Sequence, residues 1–402
     1  MKAPGPSPLE FSKGIRINTP DFFNELRKKY GDIVRCKLPF LPPMYILSHP
    51  DYAKQVLSLQ ASNYVRQDFV SRRFRSLFGN GSVVAEADLW ARQRKIISPV
   101  FQRQFLERAV PVLEAQTEAF IRQWEAEARA GRPVPVVESF LKLMLQMLWQ
   151  VLFNTETKAI EYHLFKTVNK GVNYVASRLP FYYSKWWPTY ANWSFFYNDH
   201  KLDRILYQMI RSRRPRVGEI DDMLDFLLRY EDPETGQGLS DRLILEEIKT
   251  MTPAGYLTTA AGLSWFFYEL GKHPEHQPRV NAECQNIQTG TAHIFKRLQQ
   301  LPHTMNCLFE ALRLHPTGWS IWRSAAESGT ILGYEIEAGA TLISCPYTAH
   351  RHPEFWDAPE TFNPERNFAE KVDQSYFPFG LGPRKCLGEN LAMVEMMIII
   401  PM

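Results

Sequence analysis

The chain has 402 residues, 45% of them hydrophobic and 13% aromatic, with a formal net charge of +4. That is ample apolar material for a large core, and the charge is too mild, with no basic block carrying interleaved aromatics, for a nucleic-acid partner. The five cysteines, Cys36, Cys284, Cys307, Cys345 and Cys386, are odd in number and widely spread with no CxxC pair, so neither zinc nor a disulfide framework is indicated and a reducing compartment fits.

In chain order, the N-terminus MKAPGPSPLEF holds three prolines and no apolar run near the roughly 20 residues that a membrane span needs. Residues 18–30 read as a short helix. YGDIVRCKL and MYILS read as strands, and HPDYAKQVL as a helix opened by its proline. Residues 60–86 read as irregular with one short helix; their Arg66, Arg72, Arg73 and Arg75 could meet a carboxylate or stand solvated. A helix follows in LWARQRKIISPVF, where Trp90 and Arg94 at i and i+4 share a face. Helices are then predicted over about 106–130, 137–154, 158–177, 196–216 and 221–229. Residues 177–197 are dense in aromatics, as a lid or as plain core packing.

A long helix is predicted over 240–270, opened by Ser240 and Asp241. Ile244, Ile248, Met251, Gly255 and Thr258 recur at steps of four and three, which puts them on one face. Pro253 lacks the N–H that would bond the carbonyl of Lys249, so a kink is expected there. In EALRLHP, Glu310 and Arg313 at i and i+3 can pair on one face. TILGYEIEAGATLI alternates like a hairpin, with its turn expected near 337–339. A last helix is predicted from about residue 387, carrying Ala392 and Glu395. No internal repeat or low-complexity linker appears.

The most specific segment is FPFGLGPRKCLG, residues 377–388. Phe379, Gly382, Arg384, Cys386 and Gly388 satisfy the pattern F-x-x-G-x-R-x-C-x-G. A thiolate that ligates a metal needs backbone N–H groups aimed at the sulfur, and Gly380, Gly382 and Gly388 permit that approach because they carry no Cβ. The other reading of Cys386 is a packed thiol in a turn, but the length of the pattern favours the ligand.

The segment resembles the haem-ligand loop of the cytochrome P-450 family, in which a thiolate holds haem iron and pushes electron density onto it. The resemblance runs from about residue 4 to the end. It implies a mainly α fold with a small β lobe, one haem domain over 1–402, with the β-rich lobe at about 30–60 and 325–350 and the helical lobe at about 86–316 and 386–402. It implies haem b as cofactor, with Cys386 as the axial iron ligand, Phe379 shielding the sulfur side, and Arg384, Arg323, Trp90 and Arg94 around the propionates. Gly380 and Gly388 shape the loop. Arg366, in FNPERN, would join Glu310 and Arg313 in a buried structural network, costly unless every hydrogen bond is made.

In the family the long helix crosses the distal side of the haem with the signature A/G-G-x-D/E-T-T/S; here it reads AGYLTT. Ala254, Gly255, Thr258 and Thr259 match. Thr258 would handle the distal oxygen, and Gly255 would leave room for it. Leu257 stands where the family has an acid, and leucine cannot titrate or donate.

The resemblance therefore implies a monooxygenase that inserts one oxygen atom of O2 into a small lipophilic substrate. Its electrons would come from a separate ferredoxin, flavodoxin or reductase steered by a rim of Arg92, Arg94, Lys95, Arg384 and Lys385. Leu257 keeps open a peroxide-driven or otherwise atypical haem-thiolate enzyme (peroxygenase, isomerase or dehydratase), and a ligand-sensing haem protein is the non-catalytic alternative. A cytoplasmic monomer without a membrane span is expected, with residues 181–197 as a peripheral membrane contact. The alternative is a membrane-associated enzyme whose anchor is removed, since PGPSP resembles the linker after such anchors. The chain ends soon after Cys386, so the resemblance implies C-terminal truncation.

Overall fold

The computed structural model describes residues 1–15, 18–38, 42–158, 160–176, 190–233, 236–287 and 294–402. Contacts divide the chain into two compact units: Met1–Asp68, Ala261–Glu389 and Ile400–Met402 form the first, Phe69–Ala260 and Asn390–Ile399 the second.

The first unit is built on seven strands: β1 (Ile33–Cys36), β2 (Met44–Leu47), β3 (Tyr64–Val65), β4 (Ile321–Ala325), β5 (Gly329–Ile331), β6 (Tyr334–Ile336) and β7 (Thr341–Ser344). Five of them make a sheet in the order β1-β2-β7-β4-β3, antiparallel except for the parallel β2–β7 pair, and β5–β6 form a separate hairpin. Side chains alternate across the pleat. Val34, Cys36, Ile46 and Ile343 pack with Phe11, Phe23 and Leu26, which come from the helices Pro8–Gly14 and Thr19–Tyr30. Ile33, Tyr45, Leu47 and Leu342 pack in a second cluster with Phe377 and Leu381. The sheet thus supplies a rigid apolar floor for the segment that carries Cys386.

The second unit is helical. Its helix Val136–Phe153 buries Phe140, Leu143, Met144, Leu145, Met147, Leu148 and Trp149, apolar nearly all round as a central helix must be, and stops at Asn154, which adopts a left-handed φ of 45°. By length and composition it is the one described helix apolar enough to cross a membrane, and 56% of it is buried inside the protein. Helices Arg103–Arg129, Glu161–Ala176 and Tyr190–Arg213 belong to the same unit.

Several boundaries differ from expectation. The hairpin turn falls at Leu332–Gly333, both at positive φ (45° and 88°), while the turn expected near 337–339 is present, closed by Ala340 N–H to Glu337 O (3.1 Å), but leads from β6 into β7. A two-residue turn with positive φ at both positions usually announces itself as Asn-Gly or Asp-Gly, and Leu-Gly does not. Strand β3, two residues long, is too short to show periodicity. After Pro50–Lys54 the chain adds one π-type turn, Gln55–Leu59. The long helix spans Asp241–Lys272 and is helical through Pro253. Of the aromatic segment 177–197, residues 177–189 lie outside the described residues; Tyr190 onward is helical.

Candidate active site

The cysteine loop is closed on itself by backbone hydrogen bonds. The N–H of Cys386 donates to Phe379 O (2.9 Å), that of Gly380 to Phe377 O (3.0 Å) and that of Lys385 to Gly382 O (3.0 Å). Gly380 and Gly382 both take left-handed φ, 79° and 71°. At Gly382 a Cβ would stand 1.9 Å from the carbonyl oxygen of Leu57, so only glycine fits against the turn 55–59. Gly382–Arg384 form one 3₁₀ turn, and the helix Glu389–Ile399 follows. Lys385 pairs with Glu389 (3.0 Å). Phe379, Gly380, Arg384 and Gly388 are half-buried, whereas Cys386 is exposed.

Behind the loop lies a fully satisfied buried ion network. Arg313, completely buried, donates from Nε and Nη2 to Glu310 (2.6 and 2.8 Å) and from its remaining N–H groups to the carbonyls of His350, Pro359 and Thr361 (2.8, 2.7 and 3.2 Å). Arg366 Nε donates to Glu310 Oε1 (3.1 Å), as does the N–H of Asn363 (2.9 Å). Trp356 lies under both guanidinium groups at 5.1 and 5.9 Å. Complete satisfaction is what makes such a burial tolerable.

This network reaches the cysteine loop through His350, which sequence reasoning missed. Burial, with Arg313 and Arg351 nearby, pushes its pKa well below the usual range, so the ring stays neutral. Its Nε2 accepts the N–H of Phe377 at 3.0 Å, at the entrance of the loop. Arg313 holds the main chain of His350 and His350 holds the loop. Arg323 lies buried on β4, where it donates to Trp322 O (2.8 Å).

The part of the helix Asp241–Lys272 that lies in the second unit, up to Ala260, buries Thr252, Pro253, Tyr256, Thr259 and Ala260 but exposes Ala254 and Thr258, one turn apart. The Thr258 hydroxyl donates to Ala254 O (2.8 Å) and the Thr259 hydroxyl to Gly255 O (3.0 Å). Gly255 has a use the sequence did not show. A Cβ there would meet Leu148 at 2.7 Å, so the glycine lets the helix Val136–Phe153 approach. Leu257 is half-buried.

The acid absent at 257 has a buried counterpart beside Thr259. Glu395, on the helix Glu389–Ile399, is hydrogen-bonded to Thr259, and burial pushes its pKa up to about 8. A carboxyl with that value keeps most of its proton at pH 7. Trp90 and Arg94 lie half-buried on the helix Ala87–Ile97, the guanidinium 5.8 Å from the ring centroid. Arg92 pairs with Asp232 (3.4 Å) and Lys95 is exposed. Among the four arginines near residue 70, Arg73 is buried and Arg75 donates to Val84 O (2.6 Å), so neither is a solvated surface group; Arg72 is exposed.

The donor chemistry fits a haem-thiolate site. Burial raises the thiol pKa of Cys307 to about 12 and of Cys345 to about 11, and pushes those of Cys36 and Cys284 upward. Those four are inert packed thiols. Cys386 alone is exposed, on a loop where Gly382 admits no side chain. A thiol presented in this way is suited to ligate a haem iron.

The comparisons identify the family. The family model for Cytochrome P450 matches residues 9–402. Cyclooctat-9-en-7-ol 5-monooxygenase of Streptomyces melanosporofaciens is 30% identical over 99% of this chain and 87% of its own length. Pentalenene oxygenase of Streptomyces avermitilis is 26% identical over 98% of this chain and 87% of its own. Human Cytochrome P450 4F12 is 27% identical over 89% of this chain and 74% of its own. The chain belongs to the cytochrome P450 family and is a haem-thiolate monooxygenase with haem b as cofactor.

Proposed function

We propose that the chain is a single haem domain, monomeric, that oxygenates a small lipophilic molecule with a largely hydrocarbon cyclic skeleton. The names of two relatives, for cyclooctat-9-en-7-ol and pentalenene, support that substrate class. The observation that carries the site is the single exposed thiol, Cys386, in its glycine loop. When bound, the haem supplies activation of O2 and delivery of one oxygen atom to the substrate, the other leaving as water.

The chain's own residues do the rest. Cys386 Sγ would hold the iron, with Phe379 keeping water from the sulfur, and Arg384, Arg323, Trp90 and Arg94 would hold the propionates. Thr258 presents a hydroxyl, now donated to Ala254 O, that would be free to bond a small polar molecule on a strip where Ala254 occupies little space. Glu395 holds a proton beside Thr259. Electrons come from a separate ferredoxin, flavodoxin or reductase, drawn by exposed Arg92 and Lys95 and by Lys385. A peripheral contact with a lipid surface is supported by Tyr190 (83% exposed), Trp193 (65%) and Tyr197 on the helix Tyr190–Arg213.

The test is the reduced-plus-CO difference spectrum of the holoenzyme beside Cys386→His. A strongly red-shifted Soret band in the natural protein that moves to the ordinary haem–CO position in the variant is expected. The same band in both proteins refutes Cys386 as ligand.

A further inference from the structure

One helical turn, residues 246–250, holds the segment 79–84 against the long helix. Glu247 is 1% exposed. It accepts the N–H of Ser82 at 2.8 Å and also the Ser82 hydroxyl. Glu246 Oε2 accepts the N–H of Asn80 at 2.9 Å. Gly81 lies so close that a Cβ would stand 1.8 Å from Thr250 Oγ1 and 2.7 Å from Glu246 O. From its other side the segment is tied by Gln93 Nε2, which donates to Asn80 O (3.0 Å).

The direction of this clasp matters. Glu247, Met251, Gly255 and Thr258 are spaced by four, four and three residues, so they share one face of the helix. Ser82 Oγ lies 3.7 Å from Met251 Sδ, one turn before the exposed Ala254 and Thr258. Segment 79–84 therefore packs against residues 246–251, on the helix face that leads into the exposed strip, and the buried carboxyl of Glu247 ties it there. An apolar residue at 247 would leave both Ser82 donors without their acceptor.

We propose that Glu247 is a positioning residue for substrate: by fixing Ser82 it sets the wall of the Thr258 strip and thereby the size and fit of the molecule that lies on it. The inference rests on the assignment of Thr258 to oxygen handling. The molecule concerned is apolar, since Met251 and Ala254 lie on the same helix face as Thr258.

The test uses two probes that coordinate haem iron through a ring nitrogen, pyridine and 4-phenylpyridine, titrated into the holoenzyme by the Soret shift. In Glu247→Leu the Kd of 4-phenylpyridine is expected to rise about tenfold, while that of pyridine stays within about twofold and the CO band is unchanged. Glu247→Gln keeps an acceptor for the Ser82 N–H and a donor for its hydroxyl, so it is expected to restore both Kd values. Hydrogen exchange at the Ser82 amide is expected to quicken in the leucine variant and not in the glutamine variant. A 4-phenylpyridine Kd unchanged in Glu247→Leu, or a glutamine variant as impaired as the leucine one, overturns the proposal. Should the leucine variant fail to take up haem, Ser82→Ala removes the hydroxyl alone, and an unchanged ratio of the two Kd values there overturns it equally. If neither pyridine shifts the Soret band of the natural protein, the haem-site assignment fails instead, and Ser82 exchange still reports on the clasp.

Discussion

Gly382→Ala is the sharpest perturbation of the cysteine loop. The residue sits at φ 71°, where an L side chain costs about 1–2 kcal/mol. Its new Cβ would stand 1.9 Å from Leu57 O, 2.8 Å from Leu57 C and 2.9 Å from Ser58 Cα, all backbone atoms that cannot rotate aside. Overpacking of that kind adds about 1–3 kcal/mol as the turn is pushed away, so the total is about 2–5 kcal/mol, a large share of a typical folding free energy. Gly380→Ala is the matched control. Its φ is 79°, but the nearest atom to the new Cβ is Ile321 Cδ1 at 3.5 Å, ordinary contact, so only the conformational cost of about 1–2 kcal/mol applies. Haem bound per polypeptide and thermal unfolding of the holoenzyme separate the two. Gly382→Ala is expected to lose most of its haem and Gly380→Ala to keep most of it. Equal haem content and equal unfolding temperatures would refute the close approach of the loop to Leu57 as the reason for glycine at 382.

Three further perturbations follow from the same geometry. Glu310→Ala leaves the fully buried Arg313 without its carboxylate and is expected to destabilise the protein by about 3–5 kcal/mol, read from the urea midpoint; a loss below about 1 kcal/mol would contradict the network. His350→Phe removes the acceptor of the Phe377 N–H at the mouth of the cysteine loop, and is expected to cost about 1–3 kcal/mol and to weaken haem retention, checked by haem transfer to an apo-globin. Stability should also fall with rising pH. Burial raises the folded pKa of Glu247 to about 7 and of Glu395 to about 8, so the folded chain holds protons that the unfolded chain releases. Their contribution is full below the ordinary carboxylate range and is lost as pH climbs through those values, on the order of 3–5 kcal/mol for Glu395 at the alkaline end. Glu395→Gln should flatten the decline of unfolding temperature between about pH 6 and pH 9, and an equally steep decline in that variant would refute the assignment.

What the sequence revealed was what adjacent residues can encode. The cysteine loop lies within one short segment, and Glu310 and Arg313 are three apart on one helix, so their geometry follows from local spacing. The long helix was legible from its period, and its exposed residues, Ala254 and Thr258, lie one turn apart. The groups that escaped notice are those whose partners come from distant elements. His350 is tied to Phe377, Glu247 to Ser82, and Glu395 to Thr259. No periodicity announces such pairs, because each partner looks ordinary in its own segment. Gly255 shows the converse: its place in the AGYLTT pattern is local, but what fills the space beside it, Leu148, belongs to another helix.

The same reasoning bears on Leu257. A pattern of neighbouring letters looks for an acid one position before Thr258 and finds none. The fold brings a carboxyl to the next threonine instead. Glu395 is buried completely, and desolvation outweighs the single Thr259 hydrogen bond that would favour its charged form. The neutral acid then holds its proton beside Thr259, whose own hydroxyl donates to Gly255 O. An ionised Glu395 could not donate, and its charge would stand in an apolar setting made by Leu391, Val394 and Ile398 on its own helix. The carboxyl is therefore kept protonated by the packing of the helix Glu389–Ile399, which follows directly from the cysteine loop, so the chain that presents the thiol also delivers the buried acid.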